Sequence, residues 1–187
     1  MARLEILKIG HPTLAKTSAR VETIDDEIRR LAEDMIETMH AAPGIGLSAP
    51  QVNVNRRLIT IDLSVGEKAS DLIVMINPEI VFREGKVVRE EGCLSVPEIY
   101  EKVTRPQKVQ VKGLDLKGRE RTIEAQDMLA RAFCHEIDHL DGLLFIDRLT
   151  PIRRDVVKRK IRRMIREGEW DDYYEKKFRR RSQPGPA

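Results

Sequence analysis

The chain has 187 residues, of which 35% are charged and 4% aromatic, and its formal net charge is +3. This length suits one domain with a real core, and the N-terminal residues lack the apolar run of a signal peptide. No stretch is long enough for a membrane span, and two cysteines are too few for a disulfide framework. We therefore expect a cytoplasmic protein with no membrane partner.

Charge is distributed unevenly along the chain. Residues 1–150 carry 21 basic and 25 acidic side chains, whereas residues 151–187 carry 13 basic and 6 acidic ones. The two parts therefore differ in net charge, −4 against +7. We expect a folded domain over 1–150, followed by a basic C-terminal helix and a flexible tail over 151–187.

The first half of the chain predicts one helix, one loop and a series of strands. Residues 23–40 place apolar side chains at the spacing of one helical face. Residues 41–51 are dense in Gly, Pro and Ala and predict an ordered loop. The apolar face of the helix comprises Ile28, Leu31, Met35 and Met39. The β-like runs are 57–63, 72–78, 86–91, 108–115 and 119–125, and the last two flank a turn typical of a hairpin.

Two helices complete the chain. The pattern from Asp127 to Asp141 is helical, with Gly142 as the stop residue. Thr150 and Pro151 then suit the N-cap and first position of a last helix ending near Glu167. The order of elements predicts an α+β protein with antiparallel β-sheets packed around the central helix, and a C-terminal helix.

The central helix carries the sequence "HEIDH". His135 and His139 are four residues apart, so they lie on one helical face and can converge on one metal ion. Glu136 lies beside them as a candidate proton carrier. The alternative is a helix with two partly buried, hydrogen-bonded histidines and a solvated glutamate.

A catalytic metal centre of this type needs a third protein ligand. The downstream acids form no recognisable signature: Asp141, Asp147, Glu167 and Glu169. Upstream, Cys93 lies in a turn-like stretch ending at Pro97. Two imidazoles and one thiolate suit Zn²⁺ or Fe²⁺, although Cys93 taken alone is better explained as a small buried hydrophobic residue.

Three segments together resemble the motifs of the peptide deformylase family, in its order and approximate spacing. They are "GIGLSAPQ" (44–51), "EGCLSVP" (91–97) and "HEIDHLDG" (135–142), and the resemblance covers residues 1 to about 150. It implies that Cys93, His135 and His139 bind one divalent ion, which would be Fe²⁺ in the cell and could be Zn²⁺, Ni²⁺ or Co²⁺ in a preparation.

The resemblance also implies a reaction. Family members remove the formyl group from the N-terminal formyl-methionine of nascent polypeptides and release formate. Glu136 would be the general acid/base, whereas the side chain of Gln51 and the backbone N–H of Leu94 would stabilise the oxyanion. Amide hydrolysis needs all three components: an activated water, stabilisation of charge on oxygen, and a proton for the leaving amine.

The substrate pocket is predicted from the same helix. Met128 and Ala132 share the face of the two histidines and could line an apolar pocket for a methionine side chain. The resemblance adds Ile45 and Leu47 nearby, a Gly46 backbone that pairs with the peptide, and an ion pair between Glu91 and Arg105 beside the pocket. For Met128, ordinary core packing is an equal alternative.

Three further residues have open roles. Ser48 replaces the Ala usual in the family, and we expect no effect on the chemistry. Cys134, where many relatives have Gln, is interpreted as a buried thiol, with redox modulation of the site as the alternative. Asp138 could orient a ligand histidine, but a surface position is equally compatible with its place in the sequence.

The basic segment also permits two interpretations. A packed helix with a solvated charged face is the simpler one, and docking to ribosomal RNA near emerging chains is the functional one. The packed side of this helix would comprise Val157, Ile161, Met164 and Ile165, and packing aromatics would follow at Trp170, Tyr173, Tyr174 and Phe178.

Three other functions compete with a deformylase. A metalloprotease of the HExxH type would lack its downstream ligand and leave Cys93 and Gln51 unexplained. A nucleic-acid-binding module would explain the basic segment but not the acidic body. An inactive metal-binding relative conflicts with the presence of every expected catalytic residue.

Overall fold

The computed structural model describes residues 3–42 and 44–170. The helices in these residues are α1 (Asp26–Ala41), α2 (Asp127–Leu140) and α3 (Pro151–Arg166). The strands are β1 (Gly46–Ser48), β2 (Leu58–Ile61), β3 (Ile73–Glu84), β4 (Val87–Cys93), β5 (Val96–Arg105), β6 (Lys108–Leu114) and β7 (Glu120–Gln126). Short 3-10 turns at Pro12–Ala15, Ala49–Val52, Ala69–Asp71 and Phe145–Arg148 complete the described elements.

The described strands form two antiparallel sheets. One has the order β1-β2-β3-β6-β7, and the other is the hairpin of β4 and β5. The predicted turn at 116–118 joins β6 to β7, where Leu114 lies opposite Glu120. The expected α+β fold with antiparallel sheets and a C-terminal helix is confirmed.

The packing places α2 between the large sheet and the hairpin. Phe133 and Leu140 of α2 are fully buried with Ile61, Met75 and other apolar residues of the large sheet. Helix α1 covers the β1–β2 end of that sheet. Helix α3 and residues 144–146 pack on the apolar face of β5. As a result, one face of α2 is available to a site between β1 and the hairpin.

Two predictions in this region are wrong in detail. The segment 41–51 is not only a loop, because Gly46–Ser48 pairs with β2 as an edge strand. The stretch around Cys93 is also more regular than expected, since Val96–Arg105 forms a strand that the sequence did not predict. The strand was not predicted because the segment contains Pro97, and proline is unusual inside a strand. Pro97 is tolerated because β5 pairs with β4 along one edge only in the described sheets.

The helix ends largely follow the prediction. Gly142 and Gly168 have φ values of 74° and 67°, the left-handed conformation of residues that end helices.

Ile165 was expected on the packed side of α3, but it is 50% exposed. Of the predicted packing aromatics, Trp170 is buried, whereas Tyr173, Tyr174 and Phe178 lie outside the described residues, as does the predicted flexible tail.

None of the helices within 3–42 and 44–170 combines the length and the apolar character that crossing a membrane would require.

Candidate metal centre and catalytic cavity

The three predicted metal ligands lie together. Cys93 ends β4, and His135 and His139 are one turn apart on α2. One ligand atom from each of these residues lies within 4.8 Å of the others, and the Sγ of Cys93 is 3.3 Å from Nε2 of His139. Two imidazoles and one sulfur at this separation fit a soft or borderline divalent cation.

Cys93 is held by the turn between β4 and β5. The register of this hairpin shifts between Glu91 and Cys93, and the strands reconnect where Cys93 lies opposite Val96. Within the turn, the backbone N–H of Ser95 donates to Sγ of Cys93 at 3.3 Å. The irregular hairpin therefore directs the sulfur at α2, and an amide donor stabilises the thiolate that binds a metal.

His135 is oriented by a buried carboxylate. Oε2 of Glu91 lies 3.2 Å from Nδ1 of His135. Arg105 donates to Glu91 through Nε and Nη2, at 2.8 and 3.0 Å, so the predicted ion pair is present. Burial raises the pKa of Glu91, but the hydrogen bonds from His135 and Arg105 outweigh it and hold this pKa far below its usual range. A carboxylate in this position fixes Nδ1 as the donor and leaves Nε2 for the metal.

Arg131 is part of the same network and was missed by the sequence analysis. Its guanidinium is 4% exposed and donates to Oε1 of Glu91 at 2.5 Å. It also donates to the backbone oxygen of Val103 at 3.2 Å, which joins α2 to the hairpin. The sequence feature that could have indicated it is the position of this arginine, between Ala130 and Ala132 on the buried part of an otherwise apolar helix.

Asp138 has neither of its two expected roles. It is only 5% exposed, so it is not a surface residue. Its described partners are Arg105, which donates from Nη1 at 2.6 Å, and Arg148, which donates from Nε at 3.0 Å. Asp138 therefore anchors the arginine that holds Glu91, rather than a ligand histidine.

The two histidines differ in their electrostatics. Burial lowers the pKa of His135, but the neighbouring Cys93 and Glu91 outweigh it and raise this pKa well above its ordinary value. Burial and the charge of His135 both lower the pKa of His139. Both imidazoles must be neutral to bind a metal, so the two histidines differ in how readily they lose a proton.

Glu136 faces the cavity from α2. It is 3% exposed, and burial raises its pKa to about 7, against the opposing charge of His135. Within the described residues, its Oε2 has no hydrogen-bond partner. A carboxyl group with a pKa near neutrality is suited to accept a proton and return it.

Gln51 is fixed at the opposite wall. Its Oε1 accepts hydrogen bonds from the backbone N–H and from the hydroxyl of Ser48, at 2.9 and 2.8 Å. These two donors set the orientation of the amide, so Nε2 points at Oγ of Ser95 at 3.1 Å and at Sγ of Cys93 at 3.7 Å. Ser48, for which we expect no effect on the chemistry, therefore contacts a candidate catalytic residue.

The candidate residues line one cavity of about 460 Å³. Gln51, Leu94 and Glu136 contribute to its wall beside the metal ligands. The predicted substrate residues that also line it are Ile45, Gly46, Glu91, Met128 and Ala132. Met128 is 43% exposed at this wall, which excludes simple core packing. Leu47 does not line the cavity, because its side chain is fully buried in the core under α1, and its role in substrate binding stays a prediction.

Tyr100 is a cavity residue that the sequence analysis missed. It is 57% exposed and lines the cavity together with Gly92. A Cβ atom on Gly92 would lie 2.6 Å from Cε1 of Tyr100, so the ring lies directly on this glycine. Because β5 was not predicted, no pattern in the sequence indicated that Tyr100 faces the cavity.

Cys134 lies outside the ligand cluster. It is 5% exposed in the core between α2 and the large sheet. Burial raises the pKa of its thiol. These observations favour the buried thiol over a redox-active group.

Comparison with known proteins identifies the family. The sequence profile described as Polypeptide deformylase matches residues 3–155. A peptide deformylase of Acidobacterium capsulatum is 49% identical over 165 residues, which are 88% of this chain and 97% of the relative. The crystal structure of a peptide deformylase from Legionella pneumophila has a TM-score of 0.84 at 42% identity, covering 91% of this chain and 99% of that chain.

A third similar protein was crystallised with a ligand. It is a peptide deformylase from Synechococcus elongatus in complex with actinonin, with a TM-score of 0.80 at 40% identity, covering 84% of this chain and 86% of that chain. The profile and these relatives match most of the sequence. The chain therefore belongs to the peptide deformylase family.

Proposed function

We propose that this protein hydrolyses the formamide of N-formyl-methionyl peptides, releasing formate and a free α-amino group. The observation that carries the proposal is the convergence of Cys93, His135 and His139, of which Cys93 and His135 line one cavity together with Glu136. A downstream metalloprotease ligand is not needed, because Cys93 completes a set of three.

We propose the following roles for the residues, which their positions support. Glu136 takes a proton from the attacking water and gives it to the leaving nitrogen as the C–N bond breaks. The side-chain amide of Gln51 and the backbone N–H of Leu94 donate to the oxygen on which charge develops. Glu91 keeps His135 in the tautomer that a ligand needs.

Cys93, His135 and His139 would hold a divalent cation, which supplies Lewis-acid chemistry when bound. We propose Fe²⁺ as the ion in the cell, with Zn²⁺, Ni²⁺ or Co²⁺ as substitutes in a preparation. The thiolate and two imidazoles suit each of these ions. Metal analysis of protein purified without oxygen tests this assignment.

The substrate methionine would occupy the apolar wall next to the ligands. Ile45, Met128 and Ala132 line this wall, and the Gly46 backbone is at the edge of the large sheet, where an extended peptide can add. Actinonin, which is bound in the Synechococcus elongatus structure, should compete for the same cavity.

Formate release from formyl-Met-Ala-Ser, with and without a chelator, tests the activity. We expect release that stops with the chelator and returns with added metal. The variant Cys93→Ala should lose both metal and activity, because one of three ligands is removed. Cleavage of an internal peptide bond without formate release would instead identify a protease.

The location and partners of the protein are also proposals. We propose that residues 1–150 are the catalytic unit, working in the cytoplasm on nascent chains, and that residues 151–187 dock on ribosomal RNA. The support is the exposed basic face of α3, which includes Arg159 and Arg162, while the buried face packs on β5.

Charge reversal tests the docking without removing the packed face of α3. Arg159→Glu with Arg162→Glu should weaken co-sedimentation with ribosomes at low salt, since phosphate contacts dominate such binding. Arg121→Glu, at an exposed position on β7, is the matched control. Equal ribosome binding by the wild type and the double variant would contradict docking through α3.

A further inference from the structure

Gly46 is a glycine that its backbone conformation does not require. It lies in β1, opposite Ile61 of β2. Its φ angle is not positive, unlike those of Gly10, Gly66 and Gly142. In an ordinary strand, alanine is preferred over glycine because glycine loses more conformational freedom on folding. The missing side chain therefore needs another explanation.

The space next to Gly46 is occupied by Glu136. A Cβ atom built on Gly46 would lie 2.3 Å from Oε1 of Glu136, 2.9 Å from its Cδ and 3.1 Å from its Cγ. Separations this short are well inside van der Waals contact, so an alanine at this position would force the carboxylate to move. Glu136 is 3% exposed and lines the cavity, so a displaced carboxylate would shift relative to the other groups on the cavity wall.

One oxygen of this carboxylate is not held by a hydrogen bond. Oε2 of Glu136 has no hydrogen-bond partner in the part of the chain that the structure describes. Packing must therefore contribute to the orientation of the group. The side chain of Ser48 is a hydrogen-bond partner of this carboxylate, and the position that a Cβ atom of Gly46 would occupy lies against its Oε1.

Other glycines with close neighbours differ from Gly46 in what they contact. At Gly44 a Cβ atom would meet Cδ1 of Leu94 at 2.7 Å, which belongs to an apolar side chain and not to a proton-transfer group. At Gly113, in β6, it would meet Cγ of Met75 at 2.6 Å and the backbone oxygen of Ile76 at 2.9 Å, away from the cavity.

We propose that Gly46 is a positioning residue that, by lacking a side chain, leaves the space in which the carboxylate of Glu136 is held at the cavity. This differs from the expected role of Gly46 in substrate pairing, although both roles are compatible. The catalytic consequence rests on the proposed deformylase function, whereas the steric contact does not.

The variant Gly46→Ala tests the catalytic consequence. We expect kcat to fall by about 10–100-fold, because a displacement of about 1 Å of a proton-transfer group has an effect of this size. KM should change by less than about threefold, and the metal content should be kept. Gly113→Ala is the matched control, since it creates a comparable clash in the same sheet and should lower stability without changing kcat.

A double-mutant cycle separates positioning from a general disturbance. In the Glu136→Gln background the acid/base function is already lost, so Gly46→Ala should reduce kcat by less than about threefold further. If Gly46→Ala lowers kcat by the same factor in both backgrounds, the proposal is overturned.

A second cycle measures the contact without any enzyme assay. Gly46→Ala should lower the urea midpoint of the wild type, but leave it unchanged or raise it in the Glu136→Ala background, where the clashing atoms are absent. An equal loss in both backgrounds would overturn the proposal. If the wild type releases no formate, the deformylase assignment fails, and this cycle still decides whether Gly46 accommodates Glu136.

Discussion

The cavity has two regions that are built differently. Its deep end comprises Cys93, His135, Glu136 and Gln51, where Gln51 is 1% and Glu136 3% exposed. Its mouth comprises Ile45, Met128 and Tyr100, which are 36%, 43% and 57% exposed. The deep end combines polar groups with fixed neighbours, whereas the mouth presents apolar groups that are partly in water.

This difference predicts how each region responds to substitution. At the deep end, removing one partner leaves another buried polar or charged group without compensation, which is costly. At the mouth, a truncated side chain removes only part of an apolar contact, and water already reaches the position. Substitutions at the deep end should therefore strongly reduce catalysis. Substitutions at the mouth should have only small effects on substrate binding.

The largest effect is expected for Glu136→Gln. The substitution keeps the shape of the side chain but removes its ability to accept and return a proton, so kcat should fall by about 10²–10⁴-fold. The metal content should stay at the wild-type level, because Glu136 is not among the three clustered ligands. Formate release and metal analysis on the same sample provide the measurement, and near-normal turnover with metal bound would contradict the assigned role.

The next effect is expected for Glu91→Gln. This substitution leaves Arg105 and Arg131 buried with less compensating charge, and breaking such a network typically costs about 3–5 kcal/mol of stability. It also replaces the charged acceptor that orients His135 with a neutral amide, so metal affinity should fall by about 10–100-fold.

Urea unfolding and metal titration measure the two consequences of Glu91→Gln separately. The matched control is Glu90→Gln, an exposed position on the same strand, which should change stability by less than about 0.5 kcal/mol. Similar stabilities for the two variants would show that the Glu91 network does not support the deep end as described.

The part of the deep end carried by α2 could be predicted from the sequence. The spacing of His135 and His139 determines that they share a helical face once the helix forms, and Glu136 follows from the same geometry. Gly142 also marked the end of the helix correctly, with a φ of 74°. These are local properties, so a single segment contains the information.

The rest of the cavity depends on pairing between distant segments. Cys93 reaches the histidines only through a bulged hairpin whose second strand contains Pro97, and local patterns did not reveal that strand. The role of Asp138 was also misjudged, because Arg105 is 33 residues away in sequence. The resemblance placed Leu47 near the pocket, but the strand that sets the direction of its side chain was not predicted. Residue types identified the chemistry, but only tertiary structure shows which groups support it.

At the mouth, Met128→Ala should have a modest effect. Met128 is 43% exposed at the cavity wall, so its truncation should raise KM for a formyl-methionyl peptide by about 3–10-fold and leave kcat nearly unchanged. Ile152→Ala, at a position on α3 that is 81% exposed, is the control and should change neither constant. A large fall in kcat for Met128→Ala would mean that the mouth takes part in the chemistry, and the contrast between the two regions would be lost.

The smallest effect is expected outside the cavity, in the turn after β2. Val65 and Gly66 have φ values of 51° and 89°, and the N–H of Glu67 donates to the backbone oxygen of Ser64 at 3.1 Å. Two positive φ angles inside such a hydrogen bond are typical of a type I′ turn, which favours Asn-Gly and disfavours a β-branched residue. Since Val65 is 37% exposed, little apolar burial is lost on replacement.

We therefore expect Val65→Asn to raise the free energy of unfolding by about 0.5–1 kcal/mol, because asparagine adopts the left-handed conformation with less strain. The urea midpoint measures this gain, and Val65→Ala, which has no side-chain amide to favour this conformation, should gain less. kcat and KM should stay unchanged in both variants, since the turn does not line the cavity. A stabilised protein with altered kinetics would show instead that this turn is coupled to the site, so that rigidity at the deep end depends on more than its immediate neighbours.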